Sequence, residues 1–436
     1  MSGTAALRRP PVRSDVVDEH FEELDFLWEQ RSALVFAPDW TLDELAELEE
    51  RADAHLDGLH LAERYGVDVA RAQLTSGEGA AATAAALVLL GAGLRDIECE
   101  VVDALCAAEE PPTRDRLRDG LRHAPLSADL ERDLVELAAQ AAEPTRAAAL
   151  DVLAFHRCAA PGVEPLQDAE DPAARVLAWE ATGRLARSCD PQRLDHTLRT
   201  DAPAVQRAAL AAAARCAFPG LEAVCLRAFE SDGSTEALAF LGVLANDAST
   251  DVLVAALADA ALSDAALRGL GAGGDVRALP HIISALADPE RAAAAAAAFV
   301  RITGVEDLPV REAEAPEEGA PAQAEDEQEA ALPDVDANAV QALWQQMAGR
   351  FAPQRRWQCG LPVDPPTPDA DGATGAPSAP SQLRPAALLP EGLSLEARRD
   401  LYLRLRSRHG RAIADIELEA RARAQRAAPV LTPPRR

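Results

Sequence analysis

The chain contains no lysine: every one of the 43 basic residues among its 436 is arginine. That excludes chemistry built on an ε-amino group, including the phosphate-cradling P-loop, Schiff-base catalysis and Ser-Lys nucleophilic pairs. Lysine, asparagine, isoleucine and tyrosine are scarce beside alanine, arginine, glycine and proline, which looks like the bias of a GC-rich genome. The seven cysteines (Cys99, Cys106, Cys158, Cys189, Cys216, Cys225, Cys359) are an odd number without a Cys-x-x-Cys pair. Most fall in apolar helical patterns, where a free thiol behaves as a small hydrophobe, so a reducing compartment is expected. Neither strict alternation nor β-branched runs of strand length occur. The first residues lack an apolar core of signal-peptide length, and the longest apolar stretches are interrupted and alanine-rich. No membrane span and a cytoplasmic location follow as expectations. G-x-S-x-G, H-E-x-x-H and paired zinc knuckles are missing, so no cofactor, metal or catalytic residue is assigned.

What is present begins with acid. A formal charge of −29 makes the chain self-repelling and a poor general ligand for phosphate backbones, so nucleic acid is not an expected partner. Within that composition a repeat of about 30 residues stands out. Helical stretches open at Asp171-Pro172, at Asp201 to Pro203 and at Asp288-Pro289. Counted from those prolines, Arg184, Arg215 and Arg301 occupy one offset, each followed by an apolar residue. A two-helix unit of this length cannot bury its apolar face alone and stacks on its neighbours, which predicts an all-α solenoid.

The expected organisation is a mobile tail over 1–16, an N-terminal helical cap over 17–76 and the repeat region over 77–304. In the cap, Phe21, Leu24, Leu27 and Trp28 share one helical face, and Thr41 is placed to cap the next helix. Residues 305–336 carry twelve acidic residues against one arginine and read as a solvated linker. A Trp-containing helical element is expected over 337–360 and a second linker, holding eight prolines, over 361–390. The chain ends in a basic helical segment, 391–436. Residues 383–436 hold twelve arginines and six acidic residues, so this end has an acidic surface available to settle on.

Each polar cluster has a structural reading beside the functional one. His55, Asp57 and His60 place two imidazoles and a carboxylate within six residues, but helix residues five apart do not share a face. A structural role, with His55 or Asp57 hydrogen-bonded between cap and first repeat, is favoured over metal binding. His20 with Glu23 has the spacing of a metal-bridging helix but lacks a second such helix and reads as an exposed polar face. Gly271 to Gly274 joins helices and reads as a turn, and His156 and Cys158 point apart on a helix. The Arg184, Arg215 and Arg301 ladder is read as a stacking device, each arginine pairing with the acid that opens its own or the next repeat. Trp344, Arg355, Arg356 and Trp357 form either a partner-binding anchor or a segment docked back on the repeats.

The repeats resemble HEAT and HEAT-like repeats, with an Asp at each helix opening, an internal Arg and a second helix of the Leu279-Pro-His-Ile-Ile283 type. Three further stretches are more particular: the cap, residues 344–362, and the arginine-rich end from Arg398. Together they resemble a family of bacterial HEAT-repeat proteins often encoded beside type VI secretion spike and effector-loading components. The resemblance implies a non-enzymatic scaffold whose concave face grips a protein partner, an adaptor for an effector or spike component. An immunity protein that occludes a basic toxin is the alternative, and a bilin-lyase-like HEAT enzyme is a further one permitted by repeat type alone.

Overall fold

The computed structural model describes residues 12–75, 81–311, 335–363, 389–390, 392–410 and 415–427. Among the described residues it is 72% helix, with 21 helices and almost no sheet, an all-α class. No helix among the described residues is long and apolar enough to cross a membrane. The chain divides into two compact units, residues 1–188 with 416–436, and residues 189–415. The division falls inside the 77–304 block, and the basic C-terminal segment is shared between the units.

The first unit opens with α1 (Ser14–Leu34), α2 (Leu42–Leu61) and α3 (Arg64–Thr75). Phe21, Leu24, Leu27 and Trp28 are buried on one face of α1, as their spacing requires. Thr41 and Glu44 form a reciprocal capping box at the start of α2, satisfying two backbone donors that the helix itself leaves unpaired. The expected tail over 1–16 is shorter than its assignment, because Ser14 already opens α1; residues 1–11 lie outside the described residues. There follow α4 (Ala82–Gly91), α5 (Arg95–Ala107), α6 (Pro111–His123), α7 (Ala128–Gln140), α8 (Glu143–Phe155), α9 (Val163–Leu166) and α10 (Pro172–Arg184). Alternate helices touch: α4 packs on α6, α6 on α8 and α8 on α10, while α5 packs on α7 in a second row. The central helix α4 is buried on nearly every side, as its unbroken apolar sequence demands.

The second unit repeats the plan with α11 (Pro191–Thr200), α12 (Pro203–Arg215), α13 (Leu221–Asp232), α14 (Thr235–Leu244), α15 (Asp247–Ala256), α16 (Ala260–Gly273), α17 (Leu279–Ala285) and α18 (Ala292–Thr303). Here α12, α14, α16 and α18 pack in succession. The α14–α16 contact is backbone on backbone: a Cβ on Gly242 would lie 1.8 Å from the Gly269 carbonyl oxygen. Proline sits in the first turn of α10, α11 and α12, where a missing N–H costs nothing. The opening at Asp288 differs, since its carboxylate accepts from the Glu290 amide in a turn and the helix starts only at Ala292.

The expected helical element over 337–360 is half helix. α19 (Ala337–Met347) gives way to a 3₁₀ turn and then to a hairpin of two short strands, Trp357–Gln358 paired with Leu361–Pro362. Cys359 and Gly360 both take positive φ in its turn, a geometry that ends helical winding and suits a tight hairpin. Most of the two expected linkers, 312–334 and 364–388, lies outside the described residues. At their margins, Val310 bridges Val335, and Asp336 caps α19 by accepting from the amides of Asn338 and Ala339.

Candidate functional site

A helix leaves its last four carbonyls without partners, and its C-terminal end carries partial negative charge. α10 in the first unit and α12 and α18 in the second present such ends, and in each the arginine at the common offset sits in the last turn. The C-terminal segment of the chain supplies donors to these carbonyls in the second unit and carboxylates to the arginines in the first.

In the first unit, residues 416–421 form a non-helical strap followed by a short helix, Ala422–Ala427. Arg184, almost fully buried, binds Glu419 at 2.6 Å and Glu417 at 3.2 Å. Arg122 meets the other oxygen of Glu419 at 2.6 Å, and Arg157 approaches Glu417 at 3.6 Å. Beneath them Asp151, 0% exposed, pairs with Arg184 and lies 3.3 Å from Arg122 and 3.4 Å from Arg118. Burial works to raise the Asp151 carboxyl, but Arg122, Arg184 and Arg118 outweigh it and hold it below its ordinary value. Phe155 lies under this cluster, with the guanidinium of Arg122 5.0 Å from its ring centre.

Further along the strap, Arg31 donates to the Glu419 carbonyl at 2.7 Å and to Glu49 at 2.7 Å, and Glu49 also accepts from the Ala422 amide at 2.7 Å. Arg421 pairs with Asp53 and stacks over Trp28, while Arg426 pairs with Asp43. Arg31 reaches His123 Nε2 at 3.3 Å. Because the guanidinium only donates, Nε2 accepts and His123 is neutral; its approach to Asp119 at 3.6 Å is not an ion pair. Burial pushes the His123 imidazole well below its ordinary value, and the charges of Arg31, Arg122 and Arg421 act in the same direction.

In the second unit the helix Leu395–His409 lies across the ends of α12 and α14. Arg406 donates to the Arg215 carbonyl at 3.1 and 2.6 Å, capping α12. Arg404 donates to Val243 at 2.9 Å and to Ala272 at 2.6 Å, serving α14 and α16 together. Arg408 donates to Leu244 and Ala245, both at 2.8 Å. Burial, with Arg408 and Arg356 nearby, lowers the Arg404 guanidinium to about 9, which still leaves it charged at neutral pH. Arg215 pairs with Asp415 at 3.3 Å, and Asp415 also accepts from the Tyr402 hydroxyl. Arg301 binds Asp400 at 2.6 Å and Glu396 at 3.0 Å. The hairpin finishes the row: Gln358 donates to Gly271 and Ala272, and the amides of Cys359 and Gly360 donate to Arg301 and Ile302.

The partners expected for Arg184, Arg215 and Arg301 are therefore corrected. Each arginine stands in the last turn of its helix, at the opposite end from the opening acid, so Arg184 meets Asp151, Glu417 and Glu419, Arg215 meets Asp415, and Arg301 meets Asp400 and Glu396. Of the tryptophan group, Arg356 is held by Asp247 at 2.7 Å and Asp275 at 2.8 Å. The Trp357 amide donates to the Gly274 carbonyl at 2.8 Å, and Phe351 packs at an angle against both Trp344 and Trp357. Arg355 is exposed, its amide bonded to Ala352. This segment is docked on its own unit. His55 faces His20, ring nitrogens 3.0 Å apart, whereas His60 reaches the Val88 carbonyl of α4 at 3.3 Å. The tie between cap and first repeat thus belongs to His60, and Asp57 is exposed. No group of three metal-ligating side chains occurs among the described residues. Gly271 lies inside α16, and Gly274 ends it in the left-handed conformation.

Asp151, Glu417, Glu419 and the arginines at 404, 406 and 408 escaped sequence reading. A signal existed for Asp151, the lone acid in the apolar run Ala147–Ala154, and for Glu417 and Glu419, two acids inside a basic tail. No protein-family model matches the chain, and no curated protein matches it.

Proposed function

We propose that the protein is a non-enzymatic binding scaffold of the HEAT-like α-solenoid type, whose rows of stacked helices grip a protein partner. The observation that carries this reading is the packing of every second helix on the next, α4 to α10 in one unit and α12 to α18 in the other. Such stacking presents a continuous layered surface, the usual binding surface of repeat proteins. Exposed apolar side chains, Phe26, Leu61, Tyr65 and Leu94, add anchors of the kind that interfaces use. The resemblance of the cap and the C-terminal end to HEAT-repeat proteins encoded near type VI secretion genes gives the partner we propose, an effector or spike component. Co-purification of the full chain from its native host, read by mass spectrometry, tests this. Recovery of spike or effector proteins supports the adaptor role. Recovery of a single toxin replaces it with an immunity role, a coloured preparation points to the lyase alternative, and a chain that repeatedly purifies alone defeats the scaffold reading.

A further inference from the structure

The strap of the first unit has an unusual charge balance. Arg118, Arg122, Arg157 and Arg184 face Asp151 and Glu180 from the helices and Glu417 and Glu419 from the strap. Arg118 and Arg122 also approach Asp115 and Asp119, at 2.8 and 3.9 Å, toward the rim of the site; at its buried end Arg122 and Arg184 share the buried carboxylate of Asp151, with Glu180 beside Arg184. Without Glu417 and Glu419, two buried guanidiniums share one fully buried carboxylate, which is costly, so the vacated pocket has a demand for further carboxylate. The strap meets that demand with side chains: Glu417 and Glu419 flank Leu418, and Ile416 and Leu418 are buried beside them. Arg31 adds a donor aimed at the Glu419 carbonyl, a contact any peptide backbone offers.

We infer that the pocket lined by Arg122, Arg157 and Arg184 is a receptor for a Glu-apolar-Glu segment of a partner protein, and that Ile416–Glu419 occupies it in cis as an exchangeable strap. Glu419 bridges Arg122 and Arg184 through its two oxygens while Glu417 meets Arg184 and Arg157, and these charge-assisted contacts supply the specificity. The tether gives the strap an effective concentration in the millimolar range, so a partner segment enters fully only when the strap is loosened or when other contacts assist. This inference rests on the scaffold reading for the existence of a partner, and adds its chemistry.

The test uses the full chain and a fluorescent peptide spanning residues 415–427. Binding is measured by anisotropy to the unaltered chain, to E417Q/E419Q, and to R421A/R426A, whose changes release the far end of the strap from Asp53 and Asp43. Both variants are expected to bind the peptide about tenfold more tightly than the unaltered chain, because the tethered competitor is weakened. The same peptide with both glutamates changed to glutamine is expected to bind none of them. Equal affinity for all three proteins, or equal affinity for the glutamine peptide, overturns the inference. If E417Q/E419Q loses its helical circular dichroism, R421A/R426A decides, since its pocket is intact. Failure here removes the receptor and leaves partner capture by co-purification to judge the scaffold reading separately.

Discussion

Asp151→Asn is expected to destabilise the first unit severely through a single charge. Asp151 has no exposure and touches three guanidiniums, those of Arg184, Arg122 and Arg118. Substitution leaves them facing fewer carboxylates in a place water does not reach. Removing one partner of a buried ion pair costs about 3–5 kcal/mol. With a urea m-value of about 2 kcal/mol per molar, the transition midpoint falls by about 2 M. Because the chain has two units, the assay needs a probe confined to one. Tryptophan fluorescence in a W344F/W357F background serves, since Trp28 and Trp179 are buried in the first unit. The pH dependence gives a second check. The folded Asp151 carboxyl is held below its ordinary value, so its contribution is complete above the unfolded carboxylate pKa of about 3.9 and is lost as pH falls through the lower folded value. The penalty of Asp151→Asn should therefore shrink toward zero in strong acid. A midpoint shift below about 0.3 M at pH 7, where the m-value implies well under 1 kcal/mol, refutes the reasoning and means that the arginines are satisfied without Asp151.

Acid should also act earlier, through histidine. Burial holds His123 and His156 below their ordinary values, so below about pH 6.5 the unfolded chain takes up protons the folded chain refuses, costing up to about 1.4 kcal/mol per pH unit for each; equal urea midpoints at pH 7 and 5.5 would contradict this. Gly242→Ala forces a methyl group into the Gly269 carbonyl and should cost about 3 kcal/mol or more in the second unit, as overpacking does at its upper end, read from thermal unfolding; an unchanged transition would deny the close α14–α16 contact. Arg406→Met leaves the buried Arg215 carbonyl without its cap and should cost about 1–3 kcal/mol, with faster amide exchange in the last turn of α12 by mass spectrometry. Gly274→Ala sets a side chain at φ 70° and 2.3 Å from the Trp357 carbonyl oxygen, so the hairpin should detach and Trp357 fluorescence should shift toward that of a solvated ring.

Sequence alone determined the helical class, the openings of α10 and α12 at Pro172 and Pro203, the capping of α2 and the shared offset of Arg184, Arg215 and Arg301, because helix periodicity, capping and proline placement act within a few residues of one another. It also located the basic end of the chain and its charge imbalance with the rest. It left unresolved what the three arginines meet, since partners such as Glu417, Asp415 and Asp400 lie 99 to 233 residues away and no local pattern encodes a pairing at that distance. The tryptophan segment shows the same limit: its composition fitted an anchor or a docked element equally, and the acids that hold Arg356, Asp247 and Asp275, stand elsewhere in the second unit. Tertiary structure alone decided that the C-terminal segment caps the ends of α12, α14 and α16 in the second unit and supplies carboxylates to buried arginines in the first, because a helix fixes where its unpaired carbonyls point but only the packing of other elements determines which donors reach them.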